Sequence, residues 1–434
     1  MDTTLSTRQW LRFATFTAFY FAQGIPIGLF SVAIPAFLAA DGATVKELGI
    51  YAGTISLPWA WKFLVGPFMD RFTFLPMGFR RPWVILAQTG LVCSLVSLGL
   101  YSFGGDPSIL ALTVFGFVCN VFSASQDVAT DGMAIDILHE NERGRANAFM
   151  ACGQTLGFSA FGALSGFLLV AFDMRTVAFV AALTIALIWL WAVVVRERPG
   201  ERKLPWTEGS AAHVEHRREA SLFENLWDLL RTFVLPMSLV LVVMEFLNRA
   251  NDGIAIALFP AYATQVLGFE PQVYTAFASA VGIVAALVGI AFGPFIDRFG
   301  AKRVLILVLL LGAALRFWAW IGVTYYNIAT MNLVYLYVAA SIVGQWIFVA
   351  TIAIFMTICL KRISATQFSV YMSLANLSRS IGSFFYGHSS VHMAMHDGFL
   401  AMGILLLLSA GVTLFFFPDT HKRHLERIEQ EPDY

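Results

Sequence analysis

Long apolar stretches, separated by short polar segments, occupy nearly the whole of this 434-residue chain. A helix of roughly 20 apolar residues crosses a hydrocarbon layer about 30 Å thick, and most of the stretches reach or exceed that length. The alternating pattern of a β-barrel is absent, so helices are expected to satisfy the backbone within the membrane. The stretches number twelve: 10–40, 46–69, 82–103, 107–138, 145–172, 174–195, 232–267, 271–296, 303–323, 330–360, 365–391 and 397–417.

The composition excludes a soluble domain of this size. Hydrophobic residues make up 58% of the chain and charged residues only 13%, and the mean hydropathy is +0.72. Soluble domains carry about 25% charged residues and could not bury this much apolar surface. We therefore predict an all-α membrane protein with twelve transmembrane helices. The first stretch lacks an obvious cleavage site and is expected to be retained. The four cysteines lie inside stretches without metal-ligand spacing, so no disulfide, metal or cofactor is expected.

Lysine and arginine are distributed very unevenly between the two sides of these stretches. With the N-terminus inside the cell, 22 of the 28 fall in inner segments, two in outer loops and four within the stretches. Positive residues accumulate on the cytoplasmic side of bacterial membrane proteins. The distribution therefore predicts that both termini are cytoplasmic.

A seven-residue sequence occurs twice, as GPFMDRF at 66–72 and GPFIDRF at 293–299. The two copies close the second stretch and the eighth, which predicts an internal repeat of two similar halves. Glycine and proline are expected to end the helix there and to permit a tight turn.

A charged, proline-containing segment at 196–231 is the only long polar interruption. It predicts a six-helix bundle over 1–195, a linker, a second six-helix bundle over 232–417 and a tail over 418–434. Within the linker, Ser221 and Glu224 form a capping-box pattern before a broad apolar face. This pattern favours a short helix along the membrane surface, although a partly ordered linker remains an alternative.

The two heptapeptides, each followed by further basic residues, resemble the loop motif of the major facilitator superfamily. The resemblance implies the major facilitator fold and alternating access. It also implies a gating role for Asp70 and Asp297, with Arg71 and Arg298 beside them, because the aspartate of this motif is thought to meet a helix start in the opposite half.

Three longer segments resemble the AmpG-type muropeptide permeases and their relatives: WKFLVGPFMDRF at 61–72, SASQDVATDGMAIDILHENERG at 123–144 and KRISATQFSVYMSLANLSRSIG at 361–382. That wider family includes acetyl-CoA transporters and siderophore importers. The resemblance implies a permease of the bacterial inner membrane and leaves the substrate open among these classes.

The seventh stretch carries three charges within eight residues, in MEFLNRANDG. Each would cost about 2.5–3.5 kcal/mol at mid-membrane, so they are expected to face a cavity or a partner. Glu245 and Arg249 are spaced i, i+4 and can pair on one face. In the superfamily that this chain resembles, stretches 1, 4, 7 and 10 line the cavity. We therefore predict a substrate or coupling role for Glu245, Asn248, Arg249 and Asp252, the alternative being a structural ion pair.

The fourth stretch places Asp127 and Asp131 on one helical face, with Lys62 of the second stretch at a similar depth. Two carboxylates on one face repel, which raises one pKa and favours a proton site. The prediction is a proton-coupling site of Lys62, Asp127 and Asp131. The alternative is a Lys–Asp clamp that packs helices together.

Other polar groups lie near mid-depth and could contact a substrate. Arg379 and Asn376 share a face of the eleventh stretch, whereas Arg316 lies on a stretch that is usually peripheral in the superfamily. Aromatic and amide groups suit a sugar or a heteroaromatic ligand. The further predicted substrate contacts are Tyr20, Gln23, Gln345, Trp346, Asn376 and Arg379.

These features favour a proton-coupled secondary transporter of a small anionic or zwitterionic solute, with muropeptide uptake first, and a siderophore or an acetyl-CoA-type solute as alternatives. A membrane-embedded enzyme or a non-transporting sensor is the competing class, but no convincing nucleophile–base constellation is present. Without a nucleotide-binding loop, an ATP-driven pump is disfavoured. We expect a monomer that is not an enzyme and whose partners are its substrate, protons and the bilayer, with no nucleic acid.

Overall fold

The computed structural model describes residues 4–139, 142–210, 229–326, 328, 330–360 and 364–430. These residues form helices and no β-sheet; one isolated bridge pairs Thr4 with Arg196. Their α-helices are α1 (Gln9–Gly28), α2 (Ile34–Ala40), α3 (Val45–Ala60), α4 (Lys62–Arg71), α5 (Arg81–Tyr101), α6 (Ile109–Ile137), α7 (Arg143–Ala171), α8 (Met174–Val194), α9 (Pro236–Ala261), α10 (Pro271–Ala291), α11 (Gly293–Phe299), α12 (Ala301–Tyr326), α13 (Thr330–Ile358), α14 (Ser364–Ser389), α15 (Asp397–Leu414) and α16 (Pro418–Gln430). The prediction of an all-α protein is confirmed.

Helical structure lies on every one of the predicted apolar stretches. Within the described residues, nine helical segments are long and apolar enough to cross a membrane. Helices α3 and α4 are each too short to be counted, because a break at Trp61 divides them. Helix α9 is long enough but carries too many charged residues to be counted. The crossing of the membrane by twelve helices, and the side on which the termini lie, stay predictions.

The helices group into two compact units. Unit 1 holds the described residues of 1–43, 54–215 and 263–283. Unit 2 holds those of 44–53, 216–262 and 284–434. Each unit has its own hydrophobic core, around Phe16, Phe19 and Met133 in unit 1 and around Met244, Leu305, Phe355 and Tyr371 in unit 2. Most of the predicted linker helix, 221–231, lies outside the described residues; its last three residues, 229–231, are described and helical. The predicted domain boundaries stay a prediction.

Glycine permits very close helix contacts in both units, for example one between α1 and α7 and one between α9 and α14. In unit 1, a Cβ atom on Gly24 of α1 would stand 2.5 Å from the backbone nitrogen of Phe158 in α7. In unit 2, a Cβ atom on Gly382 of α14 would stand 2.6 Å from the Cα atom of Ala250 in α9. Real side chains do not tolerate such distances, so these glycines allow the backbones to touch and bring polar side chains of both helices together.

Both copies of the repeated heptapeptide are helical, and the prediction that glycine and proline end a helix there holds only for the second copy: α10 ends at Ala291, directly before Gly293, whereas α4 runs through the first copy. In the first copy, Pro67 lies inside α4, which continues to Arg71. In the second copy, Pro294 occupies the first turn of α11, where a missing N–H has no cost. The turns follow the copies, at Gly78 (φ +108°) and Gly300 (φ +84°), both in the left-handed region that glycine favours.

Each unit is closed at one end by a segment outside the apolar stretches. In unit 1, the Glu197 carboxylate accepts hydrogen bonds from the backbone N–H groups of Phe79, Arg80 and Arg81 at 2.8, 2.7 and 2.5 Å, where α5 begins. In unit 2, the Nε2 atom of His421 in α16 donates to the carbonyl oxygen of Ile358, at the end of α13, at 3.0 Å. Both contacts satisfy backbone groups that helix ends leave without partners.

Candidate functional site

The predicted proton-coupling residues form one buried cluster in unit 1. Pro58 and the break at Trp61 precede Lys62, which is the first residue of α4. The Nζ atom of Lys62 lies 2.8 Å from Oδ2 of Asp127, and only 14% and 7% of these two side chains are exposed. At that distance and burial the attraction is strong, so Lys62 neutralises Asp127.

The predicted substrate contacts on α1 belong to this same cluster. The Nε2 atom of Gln23 donates to Oδ1 of Asp127 at 2.6 Å, and the Tyr20 hydroxyl donates to Oδ1 of Asp131. Gln154 of α7 extends the chain by donating to Oε1 of Gln23 at 3.0 Å. Gln154 was not predicted, because the spacing of residues within α7 gives no signal for it.

The two carboxylates of this cluster differ in their counter-charge. Asp127 is paired with Lys62, whereas Asp131 has a hydrogen bond from Tyr20 and no ion pair within the described residues. A buried carboxylate without a cation is stable when it is protonated or hydrogen-bonded. The arrangement can therefore hold one permanent ion pair and one carboxyl group that accepts or releases a proton.

The charges of the seventh stretch form a second buried cluster, in unit 2. Arg249 Nε donates to Oε1 of Glu245 at 2.6 Å, and Arg249 Nη1 donates to Oδ2 of Asp252 at 3.0 Å. Asn248 donates to the other oxygen of Glu245 at 3.0 Å. The pairing of Glu245 with Arg249 that their spacing predicted is confirmed. The guanidinium also lies over the ring of Phe348 in α13, 5.1 Å from its centroid, in a cation–π contact.

Two further arginines lie on helices next to this cluster. Arg316 of α12 lines the same cavity as Asp252, and Arg379 lies on α14. The contact of α9 with α14 brings Arg379 close, because Ser383 of α14 donates to the carbonyl oxygen of Gly253 at 2.8 Å. An enclosed cavity of about 40 Å³ lies between these groups. Its polar lining consists of Asn248, Arg249, Asn251, Asp252 and Arg316.

Two predicted contacts on α13 do not line this cavity. Trp346 stacks on Phe292 with ring centroids 4.7 Å apart, and Gln345 packs against Gly289. The residues of α13 that line the cavity are others, including Gly344, Ile347 and Phe348. Asn376 is half-buried on α14, its backbone carbonyl accepting from Ser380 at 3.4 Å. A substrate role for Gln345, Trp346 and Asn376 stays a prediction.

The predicted gating residues lie on the two heptapeptide helices. Arg71 and Arg298 are exposed and rest against the neighbouring rings of Phe72 and Phe299. The side chains of Asp70 and Asp297 lie outside the described part of the structure, and the gating role stays a prediction.

The fold places two buried, charged clusters in a helical protein with membrane-spanning character. A model of the BT1 family matches residues 23–418. The chain belongs to the BT1 family. The anhydromuropeptide permease of Escherichia coli strain K12 is 26% identical over 364 residues, which cover 83% of this chain and 70% of the permease.

Solved structures agree on the fold. The D-xylose-proton symporter superposes with a TM-score of 0.71 at 14% identity, covering 94% of this chain and 98% of the symporter. The nucleoside transporter NupG gives a TM-score of 0.65 at 12% identity, covering 97% and 100%. The chain therefore has the major facilitator fold and is an AmpG-type permease. It is a multi-pass protein of the bacterial inner membrane that moves a small molecule, and it is not an enzyme.

Proposed function

We propose that this permease couples the entry of protons to the uptake of a small anionic or zwitterionic solute, with an anhydromuropeptide as the first candidate. One observation carries the proton part. Asp131 is a half-buried carboxyl group held by the Tyr20 hydroxyl, without an ion pair in the described residues, beside the compensated Asp127–Lys62 pair. Protonation removes the desolvation cost of its charge, so Asp131 is suited to carry a proton.

The cluster of unit 2 supports the anionic part of the proposal. Its five charged side chains are Glu245, Arg249, Asp252, Arg316 and Arg379, which together carry a formal charge of +1. A buried excess cation is stabilised by an anionic ligand. The relative named an anhydromuropeptide permease supports this solute class over a siderophore or an acetyl-CoA-type solute. We further propose a monomer with twelve crossings and both termini inside.

Uptake by the purified protein in proteoliposomes tests the proposal. Radiolabelled anhydromuropeptide should accumulate when the outside is acidic, and a protonophore should abolish the accumulation. A pH indicator inside the vesicles should report acidification when the solute is added. Accumulation that survives the protonophore would refute proton coupling. Competition by a ferric siderophore or by acetyl-CoA, with no effect of anhydromuropeptide, would reassign the solute.

The matched control is a second aspartate of the same helix. Asp131→Asn should lose accumulation, whereas Asp136→Asn should retain it, because Asp136 is the partner of Arg80 outside the cluster, at 3.5 Å. An equal loss in both variants would mean that any charge change in α6 impairs the protein.

A further inference from the structure

Asp252 is the more loosely held of the two carboxylates in the unit 2 cluster. Within the described residues it has one ion pair, with Arg249 at 3.0 Å, and a hydrogen bond from the side-chain amide of Asn251 at 3.1 Å, and 37% of its side chain is exposed. Glu245 contacts the same guanidinium at 2.6 Å and is only 3% exposed. Glu245 therefore anchors Arg249, and Asp252 is a second, exchangeable acceptor.

Arg316 lacks the partner that a guanidinium in this position requires. Its Nε atom is shielded from solvent and has no hydrogen-bond acceptor among the described residues, and its Cζ atom lies 5.6 Å from the centroid of the Phe259 ring. A guanidinium presents five N–H donors, and buried donors left without acceptors are costly. The ring contact satisfies none of these donors in the way that a carboxylate would.

The cavity of about 40 Å³ joins these two residues, because both Asp252 and Arg316 line it. Since one water needs roughly 10–15 Å³ of such space, the cavity has room for about three waters. The Oδ1 atom of Asn251, which also lines the cavity, has no hydrogen-bond partner in the described residues. A carboxylate could therefore move within this space without displacing an apolar side chain.

We propose that Asp252 is a movable counter-ion, which leaves Arg249 for Arg316 when an anionic group of the solute binds Arg249. The substrate part of this inference rests on the proposed function. The exchange keeps each buried charge beside an opposite one, which avoids the large cost of an uncompensated charge. Arg316 is then a positioning residue: it accepts Asp252 and so makes Arg249 available.

Melting temperatures of the solubilised protein test the move without any solute. The parent protein for this test is the double variant Glu245→Gln, Arg249→Gln, in which neither member of the ion pair is left as an unpaired charge. In this parent Asp252 has lost Arg249, so the proposal requires it to pair with Arg316. Arg316→Gln should then lower the melting temperature several times more in this parent than in the natural protein. Adding Asp252→Asn should remove that extra loss.

The control in the same parent is Arg379→Gln, because Arg379 also lies within reach of the charge of Asp252. Equal losses from Arg316→Gln in the parent and in the natural protein would overturn the inference. So would a synergistic loss from Arg379→Gln instead, since Asp252 would then have a different second partner.

Uptake of radiolabelled anhydromuropeptide tests the consequence for the solute. Arg316→Gln should raise KM about tenfold with little change in kcat, because Asp252 then stays on Arg249. Arg316→Lys should rescue most of the affinity. In an Asp252→Asn background, Arg316→Gln should have no effect on KM, since nothing competes for Arg249.

An equal rise of KM in both backgrounds would overturn the exchange and leave a structural role for Arg316. Failure of the natural protein to take up anhydromuropeptide would count against the proposed function alone, because the melting temperatures decide the movement of Asp252 independently.

Discussion

The polar clusters of the two units occupy similar frameworks and carry opposite charge. In unit 1, two carboxylates meet one lysine, a tyrosine hydroxyl and glutamine side chains, with a formal charge of −1. In unit 2, Glu245 and Asp252 pair with Arg249, and Arg316 and Arg379 lie on neighbouring helices, so the five side chains carry a formal charge of +1. Each unit therefore holds one polar cluster, and the two clusters carry formal charges of opposite sign.

Equivalent positions of the two units can be matched through their close helix contacts. Gly24 of α1 and Gly253 of α9 are 229 residues apart, and each lies against the backbone of a neighbouring helix in its own unit. The same offset takes Tyr20 to Arg249 and Gln23 to Asp252. Polar side chains therefore occupy equivalent positions of α1 and α9, but they are uncharged in α1 and charged in α9.

The facing helices show the same replacement. Helices α6 and α13 both contain 29 residues. When the two sequences are aligned end to end, Phe348 occupies the position in α13 that Asp127 occupies in α6. Asp127 accepts a hydrogen bond from Gln23, whereas Phe348 offers its ring to Arg249. An acid in one unit is replaced by an aromatic ring in the other: α6 carries Asp127, Asp131 and Asp136, whereas α13 carries no Asp or Glu.

The largest expected effect comes from removing the proton-carrying carboxyl group of unit 1. Asp131→Asn should abolish accumulation driven by a pH gradient, because the side chain can no longer change its charge. Exchange of labelled for unlabelled solute across the membrane should continue, since it needs no net proton movement. Both assays use the same proteoliposomes. If gradient-driven uptake survives in both Asp127→Asn and Asp131→Asn, the proton site lies elsewhere, with Glu245 as the next candidate.

The corresponding change in unit 2 should affect binding rather than coupling. Arg249→Ala removes a charge-assisted hydrogen bond worth about 1.5–3 kcal/mol, so the affinity for an anionic solute should fall roughly ten- to a hundredfold. Glu245 loses its partner but can take up a proton, so the fold should survive. Equilibrium binding and melting curves on the same preparation measure the two effects.

The double variant Glu245→Gln, Arg249→Ala separates a binding site from a structural clamp. If Arg249 binds the solute, this variant should be no less stable than Arg249→Ala and should still fail to bind. Recovery of both stability and transport in the double variant would discard the binding role.

Much of the framework could be predicted from the sequence, because its signals are local. Apolar length predicted the helices, and the i, i+4 spacing predicted that Glu245 pairs with Arg249. The depth of Lys62 along its stretch predicted its meeting with Asp127. These inferences need only the rise of a helix and the cost of an unpaired charge in a membrane.

The grouping of the sites could not be predicted in the same way, because it depends on which helices touch. Tyr20 and Gln23 were assigned to the solute, yet they bind the carboxylates of α6. Arg316 was assigned little weight because its stretch is usually peripheral, yet it lines the cavity beside Arg249. The 229-residue offset is present in the sequence. It can be recognised only after the glycine contacts show which residues of α1 and α9 are equivalent.

A smaller effect is expected from the repeated heptapeptides, which resemble a gating motif. Asp70→Asn and Asp297→Asn should each weaken the closed inner gate by removing a charge that a helix N-terminus stabilises, typically by about 0.3–1 kcal/mol. Cysteines introduced on stretches 1, 4, 7 and 10, which are expected to line the transport cavity, should then react a few times faster with a reagent added from the cytoplasmic side. Unchanged labelling in both variants would leave the motif with no gating role.

The smallest expected effect contrasts the two closing segments through the pH dependence of stability. Burial raises the pKa of Glu201 to about 7, and the charge of Glu197 adds to the effect. Burial lowers the pKa of His421 from its usual 6.5. Glu201 therefore stabilises unit 1 fully below about pH 4.5, and that stability is lost as the pH rises through 7. His421 stabilises unit 2 above about pH 6.5, and that stability is lost as the pH falls through its lowered pKa.

Conservative variants should thus shift the melting temperature in opposite pH ranges. Glu201→Gln imitates the protonated acid, so it should raise the melting temperature at pH 8, by about 1–3 °C, and change little at pH 5. His421→Gln retains an amide N–H for the carbonyl oxygen of Ile358 but cannot be protonated, so its benefit should appear at pH 5 and vanish at pH 8. Melting curves of both variants across pH 5–8 measure this contrast. Parallel pH profiles would mean that neither group controls the stability of its unit, because two buried groups whose pKa values move in opposite directions must give opposite slopes.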